Sequence, residues 1–233
     1  MFTSKTIANY LYKLDRAINA MRESISDLSV VVSTGNRKIG RSLNVSVAPI
    51  RTCGGNCKVC MYACYDMKAC MQYPNVLQAR AKNTILAMYA RDDYFKQIDE
   101  IMNKRRKNKV FRWHVGGDIL DYDYFERMAE NARNHPDFVI WTYTKQYGIV
   151  NEYVRTHGGT IESAIPDNMS VMFSVWKGLK CSNPYGFATF TCVDVKNGET
   201  FEDGIHHCNG DCSACIAGKT GCPFRKSSAV KLH

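Results

Sequence analysis

Apolar residues Ile7, Leu11, Leu14, Ile18, Met21 and Ile25 recur at steps of three and four with polar residues between them, which predicts an amphipathic helix over 5–28. The period then changes. Leu43-Asn44-Val45-Ser46-Val47 alternates and stops at Pro49, the pattern of a short strand. Residues 75–89 and 92–106 return to the helical period, the first entered directly after Pro74. Residues 110–115 read as a strand that runs into Gly116-Gly117-Asp118, and 122–134 as a helix ending before Pro136. A strand over 138–143, a helix over 147–155 and strands over 169–175 and 187–193 complete the pattern.

Strands alternating with helices imply right-handed β-α-β crossovers and a mostly parallel sheet. About five strands are visible, so the expected fold is α/β, a partial barrel or an open, mostly parallel sheet, short of a closed eight-stranded barrel. The chain divides into an amino-terminal helical segment (1–34), an α/β core (35–195) and a cysteine-rich tail (196–233). Ligands of such sheets gather at the carboxyl ends of the strands. That directs attention to the cysteine-rich stretch after the first strand, which reads as a loop, and to 116–118, 144–146 and 176–177.

Composition changes the picture at one point. An apolar content of 45% fills an ordinary core, but no apolar run approaches the ~20 residues of a membrane helix. The polar amino terminus has no signal-peptide core. A cytoplasmic protein with no membrane partner is therefore expected, and in a reducing compartment clustered thiols bind metal more often than they pair.

The chain has 11 cysteines. Cys53, Cys57, Cys60 and Cys64 are spaced C-x3-C-x2-C-x3-C, and Cys208, Cys212, Cys215 and Cys222 are spaced C-x3-C-x2-C-x6-C. Cys70, Cys181 and Cys192 stand apart and read as inert thiols. Thiolates select zinc or iron–sulfur clusters. Structural zinc favours paired C-x2-C knuckles, and here each set has a single x2 gap. His206 or His207 could add an imidazole ligand in the zinc alternative.

A C-x3-C-x2-C loop directly after the first strand resembles the arrangement of radical SAM enzymes. That resemblance implies one or two [4Fe–4S] clusters, with S-adenosylmethionine bound at an open iron. The Gly116-Gly117-Asp118 turn is similar to the Gly-Gly-Glu segment that lies near the SAM amino group in that superfamily. Gly116, Gly117 and Asp118, with Thr144 and Ser174 at the ends of the next two strands, are accordingly the cofactor-binding candidates. The bland alternative is a tight turn with Asp118 as a helix cap. His114, Asp118 and Tyr143 are the catalytic candidates. His114 fits a proton donor, a ligand or a hydrogen-bonded core histidine, and Tyr143 fits a substrate contact or simple packing beside Trp141.

Five separated motifs, FRWHVGGDILDYDYFERM, FVIWTYTKQYGIVNEYV, IPDNMSVMFSVW, NPYGFA and CNGDCSACIAGKTGC, together resemble the gene-product-88-like proteins of bacteriophages and mobile elements. The resemblance runs from about Gly35 to the carboxyl terminus and names no reaction. It implies that Thr52-Cys53, Cys60 and Cys64-Tyr65 are the shared cysteine pattern, with Cys57 outside it, and that Asp118 carries over better than Gly116. Two ligand sets stay open: Cys53, Cys57 and Cys60, or Cys53, Cys60 and Cys64.

The expected function is an iron–sulfur, radical SAM-like redox enzyme acting on a small-molecule or nucleotide-like substrate in the bacterial host cytoplasm. Two alternatives compete. One is a non-enzymatic zinc protein drawn to nucleic acid by its net charge of +9. The other is an iron–sulfur sensor or electron carrier. The basic run KRRKNK at 104–109 reads first as a solvated helix end. Nothing in the chain specifies an oligomeric state.

Overall fold

Parallel strands lie side by side in one open sheet in the computed structural model, which describes residues 1–35, 39–55 and 58–232. Cys57 lies outside the described residues. The strands are β1 (Leu43–Val45), β2 (Val110–Trp113), β3 (Val139–Thr144), β4 (Met169–Val175), β5 (Thr189–Val193), β6 (His206–His207) and β7 (Ser228–Lys231). Their spatial order is β1-β2-β3-β4-β5-β7-β6, and every pairing between these strands is parallel. The last strand therefore inserts between β5 and β6, which makes the tail part of the sheet.

The α-helices are α1 (Ser4–Met21), α2 (Lys58–Tyr62), α3 (Tyr65–Gln72), α4 (Pro74–Tyr89), α5 (Arg91–Lys104), α6 (Tyr122–Asn134), α7 (Tyr147–Thr156), α8 (Ile161–Ala164) and α9 (Cys212–Ala217). Side chains at each helix start explain several of these bounds. Thr3, Asp121, Thr160 and Asp211 each accept from a first-turn amide, and Pro74 opens α4. Among the described residues no helix is long and apolar enough to cross a membrane.

Alternation along the strands separates two faces with different fates. Phe111, Trp113, Ile140, Val171 and Phe173 point to the outer face and are buried under α4, α5, α6, α7 and α8. Val110, Arg112, Trp141, Tyr143, Met172 and Phe190 point to the inner face, where the tail packs through Cys212, Ile216 and Cys222. A third apolar cluster joins α1, α3 and α4 around Tyr10, Leu14 and Met67.

Three sequence expectations change. The cysteine stretch is not a plain loop: it carries α2 and α3, and Cys64 itself caps α3 by accepting from Met67 N at 3.4 Å. The first helix stops at Met21 and continues as a 3-10 turn over Arg22–Asp27. The sheet gains β6 and β7, which are too short to show a period of two.

Candidate functional site

The stretch after β1 turns sharply and lies against the turn after β3. A Cβ on Gly55 would stand 2.3 Å from the Lys145 carbonyl oxygen, and one on Gly54 would stand 2.4 Å from Gln146 Nε2, so glycine permits the approach. This brings Cys53, Cys60 and Cys64 to the carboxyl edge of the sheet. Cys64 lies near both Cys53 and Cys60. Lys145 donates to Cys60, lies near Cys53 and Asp118, and places its ammonium 5.4 Å from the Trp176 ring centre. Burial pushes the Cys64 thiol up to about 11 and raises Cys53 further, with Asp118 adding to the second shift.

Cys192 belongs to this neighbourhood. Burial raises its thiol to about 12, and the next contribution comes from Cys60. It is far from Cys60 in sequence and arrives through the pairing of β5 with β4. The only signal for it in the chain is that a cysteine sits inside a strand.

The second gathering lies over the inner face. Helix α9 presents Cys212 and Cys215 one turn apart. Cys208 is fixed where its amide donates to Ala229 O at 2.8 Å. Cys222 follows Gly221, whose backbone (φ 65°, ψ −155°) is a region that side chains other than glycine avoid. A Cβ there would stand 3.1 Å from Cys215 Sγ and 3.4 Å from the His206 ring, so the missing side chain keeps the chain close to that thiol. Cys208, Cys212, Cys215 and Cys222 lie in one neighbourhood. Cys215 Sγ is 3.6 Å from His206 Nε2, and Tyr143 donates its hydroxyl to Cys222.

The thiols are gathered in each region without closing on one point. Among the described residues no three His, Cys, Asp or Glu side chains stand close enough to hold a metal ion, and none of the ten described cysteines is in a disulfide. The donor set nevertheless suits a soft metal: thiols dominate both regions, and a lysine or an arginine borders each.

Residues 13–181 match the gene product 88 family. The chain belongs to that family. No curated protein and no solved structure matches it. The gene product 88 match begins inside α1 and ends at Cys181, so Cys53, Cys60 and Cys64 lie within it. The closing motif, with Cys208, Cys212, Cys215 and Cys222, lies beyond it.

In this gene product 88 chain the catalytic candidates occupy three separate settings. His114 lies in the core with its Nε2 3.0 Å from the Tyr124 hydroxyl, and burial, reinforced by Arg112, lowers its pKa to about 3. Tyr143 belongs to the inner-face thiols. Asp118 ties two turns together: its carboxylate accepts from Thr144 Oγ1 at 2.6 Å, Ile119 N at 2.8 Å and Lys145 N at 2.9 Å. Both oxygens of Asp118 are thus taken, and the cap of the following helix is Asp121, three residues on.

The cofactor-binding candidates are likewise held by protein contacts. Thr144 donates to Asp118 and accepts from Gln146 N at 2.9 Å. Ser174 accepts from Trp176 Nε1 at 3.0 Å. A Cβ on Gly116 would fall 1.6 Å from Asp66 Oδ2, and one on Gly117 would fall 2.4 Å from Val47 Cγ2. Close packing alone is sufficient to require both glycines. His207 lies tilted against Phe201, at 4.3 Å between ring centres, while His206 faces Cys215, so the two neighbours serve different surroundings.

Proposed function

We propose that this chain is an iron–sulfur protein and a redox enzyme of radical SAM-like type. The observation that carries the reading is the thiol set itself. Cys208, Cys212, Cys215 and Cys222 are gathered over the inner face of a parallel sheet, and Cys53, Cys60 and Cys64 near its carboxyl edge, where parallel sheets carry their chemistry. Cys208, Cys212, Cys215 and Cys222 would hold one cluster, and Cys53, Cys60 and Cys64 the other. Bound clusters supply one-electron chemistry, and an incompletely ligated one supports reductive cleavage of S-adenosylmethionine.

The residues around the thiols have defined tasks. Lys145 offsets negative charge on Cys53 and Cys60 and donates to Cys60. Tyr143 orients Cys222 through its hydroxyl. The turn pinned by Asp118 holds Lys145 in place through its amide. The SAM part of the reading rests on the thiol loop at the sheet edge and draws nothing from Asp118, whose oxygens are occupied.

His206 beside Cys215 favours a second reading, a zinc site of mixed thiolate and imidazole ligands. Anaerobic purification with iron, sulfide and zinc analysis separates the two. Brown protein with iron and sulfide in comparable amounts supports clusters, and colourless protein with stoichiometric zinc ends that reading. Brown protein given SAM and dithionite should release 5′-deoxyadenosine. Intact clusters without that product would leave an electron carrier or sensor and sink the enzyme assignment.

A further inference from the structure

Strand register brings two acid-free stretches together. Residues 39–55 and 101–117 contain no aspartate or glutamate, and β1 pairs with β2 so that Leu43 stands opposite Phe111. Arg41 and Lys109, each two residues before that pair, therefore share the amino edge of the sheet. Arg105 Nη2 donates to Arg41 O at 3.1 Å, which ties the basic run over 104–109 to the start of β1. Lys109 is neutralised by Asp137. Arg41, Lys104, Arg106 and Lys107 are exposed, and no ion pair among the described residues includes any of them.

A solvated helix end accounts for only part of this arrangement. Lys104 closes α5, where a cation offsets the partial negative charge of the last carbonyls. Arg106 and Lys107 lie beyond the helix and serve no such purpose. Nor is the run a free tail. Arg105 N donates to Met102 O at 2.9 Å and Val110 N to Asn108 O at 2.8 Å, and Asn108 turns the chain through the left-handed region at φ 51°. The acid nearest in sequence, Glu100, lies one turn back on α5 and forms no ion pair with Lys104. Like charges held this close repel one another, and an anionic partner relieves that repulsion.

We infer that Arg41, Lys104, Arg106 and Lys107 form a docking surface for the phosphate backbone of double-stranded nucleic acid. Lys104, Arg106 and Lys107 fall within about 10 Å of chain, a charge density that suits the closely spaced phosphates of a duplex. Single strands are gripped through aromatic platforms, and residues 101–110 contain no aromatic side chain. A lipid surface calls for an apolar anchor beside the charge, and no large apolar side chain is exposed in that run. Contacts of this kind read phosphates and leave the bases unread, so binding is independent of sequence. The surface lies at the edge of the sheet opposite Cys53, Cys60 and Cys64 and does not require that any thiol hold a metal.

The test uses the full chain as purified, with its metal content recorded. Fluorescence anisotropy follows binding to labelled mixed-sequence duplexes of DNA and of RNA and to their single strands. Cosedimentation follows binding to phosphatidylcholine vesicles containing phosphatidylserine. Duplex should bind in about 50 mM potassium chloride and about a hundredfold more weakly in about 200 mM, a slope of log K against log salt of about −3.6 for four phosphate contacts. Whichever duplex binds more tightly identifies the nucleic acid. K104Q/R106Q/K107Q should bind about tenfold or more weaker at the lower salt and flatten the slope by about 2.7. K5Q/K13Q/R16Q removes the same charge from exposed positions on α1 and should stay within about twofold of the parent.

A parent that binds no duplex at the lower salt overturns the proposal. So does duplex binding that survives in K104Q/R106Q/K107Q, or an equal loss in both triple variants, which would trace binding to net charge alone. A preference for single strands, or vesicle binding as tight as duplex binding, overturns it as well. Loss of duplex binding with metal content intact bears on the docking surface alone. Duplex binding by metal-free protein leaves the surface standing without the clusters.

Discussion

Asp66 receives both arms of Arg80, Nη2 at 2.8 Å and Nε at 2.9 Å, and the backbone of Gly116 closes directly over the pair. The pair joins α3 to α4 and is almost wholly shielded, so it behaves as a buried bidentate ion pair. Any side chain at 116 must push into the carboxylate. We expect G116A to cost roughly 3–5 kcal/mol, the range for disrupting a buried pair, and D66N to cost a similar amount. Urea unfolding at pH 7 measures both. A loss under about 1 kcal/mol for G116A would mean that the turn shifts freely.

His114 controls acid sensitivity. Its folded pKa, lowered to about 3 by burial and by Arg112, lies below the ordinary histidine value near 6.5. Between those values the unfolded chain binds the extra proton, so the stabilising contribution is complete above pH 6.5 and falls as the pH drops, by about 1.4 kcal/mol per unit. Residue 114 has φ 55°, a conformation that asparagine tolerates. H114N should therefore fold and lose about 2 kcal/mol less than the parent between pH 7 and pH 5. Asp118, whose pKa burial raises, acts in the opposite sense but is common to both proteins. Parallel slopes in denaturant titrations at the two pH values would refute the assignment.

Arg225 clamps the tail to the sheet. Its guanidinium donates to Pro166 O at 2.7 Å, Met169 O at 3.1 Å and Ile165 O at 3.3 Å, while Ser170 Oγ donates to Cys222 O at 2.5 Å. The residue is left-handed at φ 56°, so asparagine is again the fair replacement. R225N should lose about 1.5–3 kcal/mol and loosen the cover over Trp141, seen as a red shift and easier quenching of its fluorescence. A destabilised variant with unchanged quenching would place the effect elsewhere.

Asn83 stitches the segment before β1 to the sheet. Its Oδ1 accepts from Val31 N at 2.8 Å, and its Nδ2 donates to Val31 O at 2.9 Å and Ser46 O at 3.0 Å. The side chain is fully buried. N83L removes all three bonds and strands backbone groups, which should cost about 3 kcal/mol or more. N83D keeps the acceptor and loses the donors, so its penalty at neutral pH should be comparable. Hydrogen exchange of the Val31 amide should rise in N83L and not in N83D.

The helices over 74–89, 91–104, 122–134 and 147–156 were legible because their apolar period and their punctuation, Pro74 above all, are local. So were the central strands and the parallel sheet they imply. Helices α2 and α3 were hidden because five closely spaced cysteines mask a short amphipathic pattern. β6 and β7 were hidden because two to four residues carry too little alternation, and their place depends on β5 offering an open edge.

The thiol sets were legible in part for the same reason. Cys208, Cys212, Cys215 and Cys222 come together over a short stretch of chain, as do Cys53, Cys60 and Cys64. Spacing could not show that Cys192 faces Cys60, that Asp118 spends both oxygens on the turns around it, or that Arg112 is left without a carboxylate. Those facts depend on strand register, which sets which side chains from distant segments share a face, and register is settled by packing the whole sheet at once. The chain's local order thus determined most of its elements and the spacing of its clustered thiols. The tertiary structure decided which charges are paired and which distant side chains share a face, because both depend on strand register.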